Sequence, residues 1–199
     1  MLDDLVEQSV ELPAGSLKLL QPRESVELPD VGGIRWAPVA PYWSVLWRSS
    51  EALARELEGL DLAGSRVVEL GCGLGLPSIA AARAGARVLA TDADPEALEL
   101  VGRNAALNGV EVATEVIDWA DPERLIGLGP FDLALASDVL YGSDGVAALD
   151  RLLPRLATTA WLADPGRPAA EPFIDGLDLP RPSRRITRGV VRIYQFEIR

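Results

Sequence analysis

A short glycine-rich run, Glu69-Leu-Gly-Cys-Gly-Leu-Gly75, carries the clearest chemical signal in the chain. An apolar strand pattern precedes it and a helical pattern follows it. In this setting glycines let the backbone turn tightly and approach a ligand at a helix N-terminus. Gly71, Gly73 and Gly75 are therefore predicted to bind a ligand. Because Leu76 and Pro77 stand where a GxGxxG motif would continue, a dinucleotide site is disfavoured.

Asp92 strengthens that prediction. It ends the next apolar strand, about 20 residues after Gly71, where an acidic side chain accepts hydrogen bonds from ribose hydroxyls. The glycine run and Asp92, at this spacing, together indicate a ribose-bearing ligand more firmly than either does alone. The alternative is a glycine-rich strand-to-helix turn followed by an incidental aspartate.

The composition excludes several kinds of chemistry. None of the 199 residues is histidine, which excludes Ser-His-Asp and Cys-His catalysis and zinc sites that need imidazole. A single cysteine, Cys72, cannot close an intramolecular disulfide, so we expect a reducing, cytoplasmic setting. We expect no export signal and no membrane span, because residues 1–10 lack a signal pattern and no apolar run is long enough.

The net charge of −11 at pH 7 predicts repulsion from phosphate backbones and anionic lipid. We therefore expect neither nucleic acid nor a membrane as a partner, and the sequence indicates no oligomeric state. One basic cluster, Arg181 to Arg188, is interpreted either as a solvated face or as an anion or substrate contact.

The elements that must position these side chains follow from the apolar pattern. Strands are predicted at residues 66–70, 87–91, 111–117, 131–136 and 159–163, with helices at 77–84, 95–108 and 145–157. Residues 118–130 are expected to form a polar connection. Such alternation predicts a parallel sheet covered by helices on both faces. Two segments around Arg188-Gly189 predict a C-terminal hairpin and at least one antiparallel edge strand.

The N-terminal quarter is less regular. Apolar alternation around Pro13-Ala14-Gly15 predicts a hairpin or an extended arm, and the prolines and aromatics of residues 29–47 predict a loop packed over the core. A serine N-cap at Ser49-Ser50 is predicted to begin an amphipathic helix that ends near Gly59. We expect one domain, with residues 1–48 as arm and lid and residues 49–199 as the cofactor-binding core.

From Ser50 to Arg199 the chain resembles the seven-stranded, class I S-adenosylmethionine-dependent methyltransferases. The similar segments are Val67–Gly75, Ala90–Asp94, Asn104–Gly109, Ile117–Trp119 and Phe131–Leu133. The resemblance implies an α/β, Rossmann-like, seven-stranded, mostly parallel sheet with an antiparallel C-terminal strand. It also implies that S-adenosyl-L-methionine is the cofactor.

The same resemblance assigns the cofactor contacts. The glycine loop with Glu69 is expected to face the methionine part, Asp92 the ribose, and Asp118 with Trp119 the adenine. An aspartate can accept from the adenine amino group, while tryptophan offers a ring face or an indole donor. The alternative for Trp119 is packing in the core.

Flanking segments are similar to a narrower branch, lysine methyltransferases that act on the electron-transfer-flavoprotein β subunit and whose bacterial members are also described as nicotinamide N-methyltransferase-like. The segments are Pro41–Trp43 with Trp47, Ala136–Tyr141 and Ala163–Pro168. The resemblance implies that Asp138 and Tyr141 face the methyl group to be transferred. The chain departs from the branch at Gly142-Ser143, where an acid is expected.

On this interpretation Asp138 is expected to hold a lysine ammonium as its proton leaves, and Tyr141 to hydrogen-bond the amine. Ser137 would line the same pocket. Four aromatic residues are expected to form a lid over cofactor and lysine, or alternatively a hydrophobic plug: Trp36, Tyr42, Trp43 and Trp47. Asp164 and Arg167 either shape the acceptor cleft or satisfy a turn at a strand end.

The leading hypothesis is an S-adenosylmethionine-dependent enzyme that methylates a lysine side chain of a protein by direct in-line transfer. This chemistry needs no histidine, because the sulfonium supplies the leaving group and the protein positions the acceptor. The alternatives are methylation of a small-molecule amine and a non-catalytic scaffold that binds S-adenosylmethionine.

Overall fold

A computed structural model describes residues 2–26, 41–141, 143–168, 170–177 and 179–198. Two strands form an N-terminal hairpin and seven form one larger sheet. The hairpin strands are β1 (Leu5–Val10) and β2 (Leu17–Pro22). The strands of the large sheet are β3 (Arg66–Leu70), β4 (Arg87–Asp92), β5 (Ala113–Val116), β6 (Phe131–Ser137), β7 (Ala157–Asp164), β8 (Arg184–Arg188) and β9 (Val191–Glu197).

The strand order of the large sheet is β5-β4-β3-β6-β7-β9-β8. β3 to β7 run parallel to one another, whereas β9 pairs antiparallel with β7 and with the edge strand β8. The predicted fold class, including the antiparallel C-terminal hairpin, is confirmed. One consequence matters for function: the carboxyl ends of the five parallel strands lie at the same edge of the sheet.

The helices are α1 (Arg23–Val26), α2 (Arg48–Leu57), α3 (Leu76–Arg83), α4 (Pro95–Leu107), α5 (Pro122–Leu128), α6 (Ser143–Leu156) and α7 (Ala170–Gly176). A short 3₁₀ turn, Tyr42–Ser44, precedes α2. The sequence did not predict α5 or α7. The expected polar connection at residues 118–130 is thus wrong, because Pro122 at the first helical position begins α5 and Leu125 anchors it in the core.

Helices cover both faces of the sheet, as the long apolar strands require. Successive side chains of β3 illustrate this: Val67 and Val68 are both fully buried, yet they belong to hydrophobic clusters on opposite faces. The cluster around Val67 includes residues of α2, α3 and the hairpin. The cluster around Val68 includes residues of α5, α6 and α7.

The N-terminal hairpin is confirmed, and it attaches to α4 through two amide side chains. Asn104 Oδ1 accepts from the Leu20 amide at 2.7 Å, and Asn108 Oδ1 accepts from the Lys18 amide at 2.9 Å. The Asn104 amide nitrogen donates to the Leu74 carbonyl of the glycine loop at 3.1 Å. Asn104 therefore joins the hairpin to the glycine loop.

The predicted serine cap of α2 is wrong. Trp47 is the N-cap residue, and it makes no side-chain capping bond. Both serines lie in the first turn, where their hydroxyls have other partners. Ser50 donates to the Trp47 carbonyl at 2.6 Å, and Ser49 donates to the Asp138 carboxylate at 3.4 Å. The predicted end of the helix before Gly59 is confirmed.

Candidate functional site

The carboxyl ends of β3 to β6 open onto one cavity of about 510 Å³. Ligand sites in proteins occupy roughly 300–1,000 Å³, and in open α/β sheets they lie at this edge. Apart from Glu69, every site residue predicted from the sequence lines the cavity: Trp47, Gly71, Gly73, Gly75, Asp92, Asp118, Trp119, Ser137, Asp138 and Tyr141.

The glycine loop follows β3 and requires glycine for two reasons. Gly73 has φ of 50°, and a Cβ atom there would lie 2.9 Å from the Trp43 carbonyl oxygen. Gly75, the N-cap of α3, has φ of 77°, and a Cβ atom there would lie 2.8 Å from Val101 Cγ2 of α4. The loop is therefore packed closely between the segment around Trp43 and α4.

Asp92, at the end of β4, is bonded to the glycine loop. One carboxylate oxygen accepts from the Gly73 amide at 3.0 Å and the other from the Asp94 amide at 3.1 Å. Burial raises the pKa of Asp92, and the amide donors oppose that effect only in part. Asp92 thus fixes the loop and presents its carboxylate to the cavity.

Glu69 has a structural position that the sequence did not predict. Its fully buried carboxyl lies beneath the cavity, where Oε2 accepts from the Ser78 amide at 2.9 Å and from the Ser78 hydroxyl at 2.5 Å. Burial raises the pKa of Glu69 to about 8, and bonds from Ser78 oppose the shift. Glu69 therefore ties the first turn of α3 to β3 and does not line the cavity.

Asp118 and Trp119 follow β5 and form another wall. Asp118 is exposed, and its carboxylate accepts from the Ala120 amide at 2.8 Å. The half-buried Trp119 ring lies against two glycines, since a Cβ on Gly71 would be 3.5 Å and a Cβ on Gly145 3.6 Å from ring atoms. Trp119 packs against the core, as the alternative predicted, and also faces the cavity, where its contact with adenine stays a prediction.

Asp138 follows β6 in an unusual backbone conformation. Among the described residues it is the one non-glycine residue with positive φ, at 60°, and its amide donates to the Ala163 carbonyl at 2.9 Å. The residue is 5% exposed and its neighbour Ser137 is 9% exposed. The turn places the Asp138 carboxylate at the cavity wall, while its backbone stays attached to β7.

The Asp138 carboxylate is paired with Arg167, a residue of the turn after β7. Arg167 Nε donates to Oδ1 at 2.6 Å, and Nη2 contacts the same oxygen. The guanidinium carbon lies 5.8 Å from the ring centroids of both Trp47 and Tyr141. These distances fall within the range of cation-π attraction, so Arg167 lies between two aromatic rings and a carboxylate.

The sequence left open whether Asp164 and Arg167 form a turn or shape the cleft; the structure shows the turn, and neither residue is among those that line the cavity. Asp164 Oδ1 accepts from the Gly166 amide at 2.7 Å and from the Arg167 amide at 2.6 Å, which closes the turn. The Arg167 side chain then reaches Asp138. The sequence missed Ser49 as a partner of Asp138, because α2 and β6 are far apart along the chain.

Aromatic side chains form the rim of the cavity. Tyr42 lies 5.5 Å from Tyr141 and 6.4 Å from Trp47 between ring centroids, and the Trp47 indole donates to the Tyr42 carbonyl at 3.0 Å. Tyr42 and Tyr141 are 57% and 62% exposed. Desolvation beside the cavity, with the nearby Asp92 carboxylate, raises the pKa of the Tyr141 phenol. Trp36, predicted to join this group, lies outside the described residues.

The lining residues fit the cofactor that the resemblance implies. The closely packed glycine loop leaves backbone at the wall, Asp92 offers a carboxylate to ribose hydroxyls, and Asp118 with Trp119 offers an acceptor and a ring face for adenine. Within the described parts of the chain, no cluster of three metal-ligating side chains occurs and no helix is long and apolar enough to cross a membrane.

Comparisons with known proteins agree with this geometry. The family model described as lysine methyltransferase matches residues 20–161. The electron transfer flavoprotein beta subunit lysine methyltransferase of Xenopus laevis is 36% identical over 168 residues, which cover 78% of this chain and 64% of that protein. The protein N-lysine methyltransferase METTL21A of Danio rerio is 37% identical over 122 residues, which cover 58% and 56%.

The chain thus spans less than two thirds of the length of these relatives. Among solved structures, the T. thermophilus 16S rRNA N2 G1207 methyltransferase in complex with AdoMet and guanosine superposes with a TM-score of 0.69 at 16% identity, covering 99% of this chain and 51% of that one. At such low identity the match shows the fold alone. The match to the family model over more than half of the chain shows that the chain belongs to the lysine methyltransferase family, whose cofactor is S-adenosyl-L-methionine.

Proposed function

We propose that the protein is a protein-lysine N-methyltransferase. The observation that carries the proposal is that Asp138 and Tyr141 line the same cavity as the glycine loop and Asp92. One cavity thus offers groups for an acceptor beside groups for a cofactor. The names of the relatives make the electron transfer flavoprotein β subunit the first candidate acceptor.

Methyl transfer forms one bond, between the lysine nitrogen and the methyl carbon, and breaks one, between that carbon and the sulfonium sulfur of the cofactor. The lysine must therefore lose its ammonium proton before attack, although its ordinary pKa is about 10.4. The protein residues assigned to this task are the carboxylate of Asp138 and the phenol of Tyr141. Their positions restrain the acceptor, and such orientation supplies a large part of enzymatic rate enhancement.

Each of these residues has a distinct task in the proposal. Asp138 attracts the cationic acceptor, and the proton that the nitrogen loses passes to water in the cavity or to the Asp138 carboxylate. Tyr141 stays protonated near neutral pH, because the ordinary pKa of a phenol is about 10 and desolvation raises that of Tyr141 further, so its hydroxyl can donate to water or to the acceptor region. Ser137 shapes the wall beside Asp138, and the rings of Tyr42, Trp47 and Tyr141 surround the alkyl part of the side chain.

A protein acceptor is favoured over a small amine by the exposed rim. The rings of Tyr42 and Tyr141 are more than half exposed, so the entrance is accessible to a side chain that belongs to a larger surface. The net charge of −11 favours a lysine-bearing surface over nucleic acid. The cytoplasmic setting remains part of the proposal and rests on the single, buried cysteine.

The test uses methyl-labelled S-adenosylmethionine with the purified protein, the electron transfer flavoprotein β subunit from the same host, and a host lysate. Label in protein, mapped to lysine by mass spectrometry, is the expected result. Label in small molecules alone would establish the small-amine alternative. Cofactor binding with no transfer to any fraction would establish a non-catalytic scaffold.

Asp138→Asn tests the assigned residue directly, because asparagine also tolerates positive φ and only the charge is lost. We expect methyl transfer to fall by about 10²-fold or more, while cofactor affinity stays close to that of the unaltered protein. Asp175→Asn serves as a matched control, since Asp175 is an exposed helix residue away from the cavity. Unchanged turnover of Asp138→Asn would remove Asp138 from the mechanism.

A further inference from the structure

Arg167 already makes the contacts that the proposed function assigns to a substrate lysine. Its guanidinium binds the Asp138 carboxylate through Nε and Nη2, and it lies 5.8 Å from the ring centroids of Trp47 and Tyr141. A carboxylate flanked by aromatic rings is the environment that an alkylammonium ion prefers. The chain thus places a cation of its own in a site suited to a foreign one.

The structure around Arg167 allows its side chain to leave its place beside Asp138. The residue lies in a turn that Asp164 closes through the backbone amides of Gly166 and Arg167. The turn is therefore held by the Asp164 carboxylate and two backbone amides, and the Arg167 side chain can leave without breaking these bonds. That side chain is 24% exposed, whereas the side chain of Asp138 is 3% exposed, so Arg167 is the more accessible partner of the pair.

Charge balance links the departure of Arg167 from Asp138 to the arrival of another cation. A buried carboxylate that loses its cationic partner is strongly destabilised, so the ionised form of Asp138 favours a cation beside it both before and after the acceptor binds. An ammonium ion arriving along the aromatic rim supplies that cation as Arg167 leaves. Departure of one cation and arrival of the other are therefore coupled.

This inference rests on the proposed function and deepens it. We propose that Arg167 fills the acceptor cation subsite of the substrate-free protein, and that an alkylammonium side chain displaces it from Asp138 on binding. Affinity for the acceptor then includes the free energy of removing Arg167. Arg167 is accordingly a specificity residue, because only an acceptor that contacts both the carboxylate and the rings can replace it.

The test measures binding of n-butylammonium, which mimics the lysine side chain, to the unaltered protein and to Arg167→Ala. Calorimetry and thermal shifts are recorded at constant ionic strength, with sodium chloride as the reference salt. We expect Arg167→Ala to bind n-butylammonium at least about tenfold more tightly, because the internal competitor is gone. Methylguanidinium should bind Arg167→Ala at the same place and compete with n-butylammonium.

Three further variants keep the outcome interpretable. Arg167→Lys retains a charge and should show a smaller gain than Arg167→Ala. Adding Asp138→Asn to Arg167→Ala should abolish the gain. Arg124→Ala removes an arginine from an exposed ion pair with Glu115, so it should bind n-butylammonium like the unaltered protein.

Equal binding of n-butylammonium to folded Arg167→Ala, or to folded Arg167→Lys if the alanine variant does not fold, would overturn the inference. A gain that survives the added Asp138→Asn change would overturn it as well. The assay involves no methyl transfer, so it is independent of the test of enzymatic function. A protein that transfers no methyl group to lysine but shows the gain would refute the proposed function and leave the cation subsite intact.

Discussion

Glu69→Gln should change how stability depends on pH. The carboxyl of Glu69 is fully buried, and its pKa rises from 4.5 to about 8, mainly because burial disfavours the charged form. Between these values the folded chain retains a proton that the unfolded chain has released. The free energy of unfolding of the unaltered protein therefore falls as pH rises through this window, and the contribution is fully present only below pH 4.5.

One group can change the free energy of unfolding by at most about 1.4 kcal/mol per pH unit. Across the whole window the loss sums to about 5 kcal/mol, which is comparable to the total stability of a marginal domain. Glutamine has the shape of the protonated acid and can still accept from the Ser78 amide and hydroxyl, but it does not titrate. The variant should therefore gain stability relative to the unaltered protein as pH rises.

The assay is urea unfolding followed by tryptophan fluorescence at half-unit steps from pH 4 to pH 9. The stability difference, Glu69→Gln minus unaltered protein, should be flat near pH 4 and should then rise with pH. Glu123→Gln provides a control of opposite sign, because Arg155 lowers the pKa of Glu123 and its stabilising effect disappears only in acid. A stability difference that does not vary between pH 5 and pH 8 would show that Glu69 is ionised throughout and would refute the reasoning.

The remaining predictions concern the glycine loop and its attachment. Gly73→Ala should weaken S-adenosylhomocysteine binding by at least about tenfold in calorimetry, since a Cβ would meet the Trp43 carbonyl at 2.9 Å in addition to about 1–2 kcal/mol of backbone strain. Gly109→Ala, with similar φ and open space around it, should leave binding unchanged. Asn104→Ala should lower the free energy of unfolding by about 1–3 kcal/mol and should speed hydrogen exchange in the hairpin. Both effects should be larger than those of Asn108→Ala, because the bond between Asn108 and Lys18 is exposed. Equal effects within either pair would contradict these assignments.

The sequence predicted which residues meet at one edge of the sheet, and the topology explains why. Gly71 follows β3, Asp92 ends β4 and Asp118 lies two residues after β5, so local pattern and spacing were enough to place them there, while their contacts with the cofactor stay predictions. Elements with weaker local signals were missed. α5 and α7 span seven residues each, and α7 contains a proline, so neither offers the apolar periodicity of a longer helix.

Sequence patterns did not predict the contacts between segments that are distant along the chain. Arg167 reaches Asp138 because β6 and β7 are neighbours in the sheet, and Ser49 reaches it because α2 packs over the same strands. Glu69 was expected to contact the cofactor because it adjoins the glycine loop. Strand alternation instead points it under the loop toward Ser78, which a motif does not reveal.

A chain without histidine nevertheless carries groups whose pKa values are shifted toward neutral pH. Burial raises the pKa of Glu69 to about 8 and also raises that of Asp92, and each carboxyl is bonded to an amide of the segment 71–78, Glu69 to Ser78 in the first turn of α3 and Asp92 to Gly73 in the glycine loop. Protonation of these groups is therefore linked to the segment that forms the cofactor side of the cavity. A pH response near neutrality, usually taken as evidence for histidine, would in this protein arise from the buried Glu69 carboxyl beside the glycine loop.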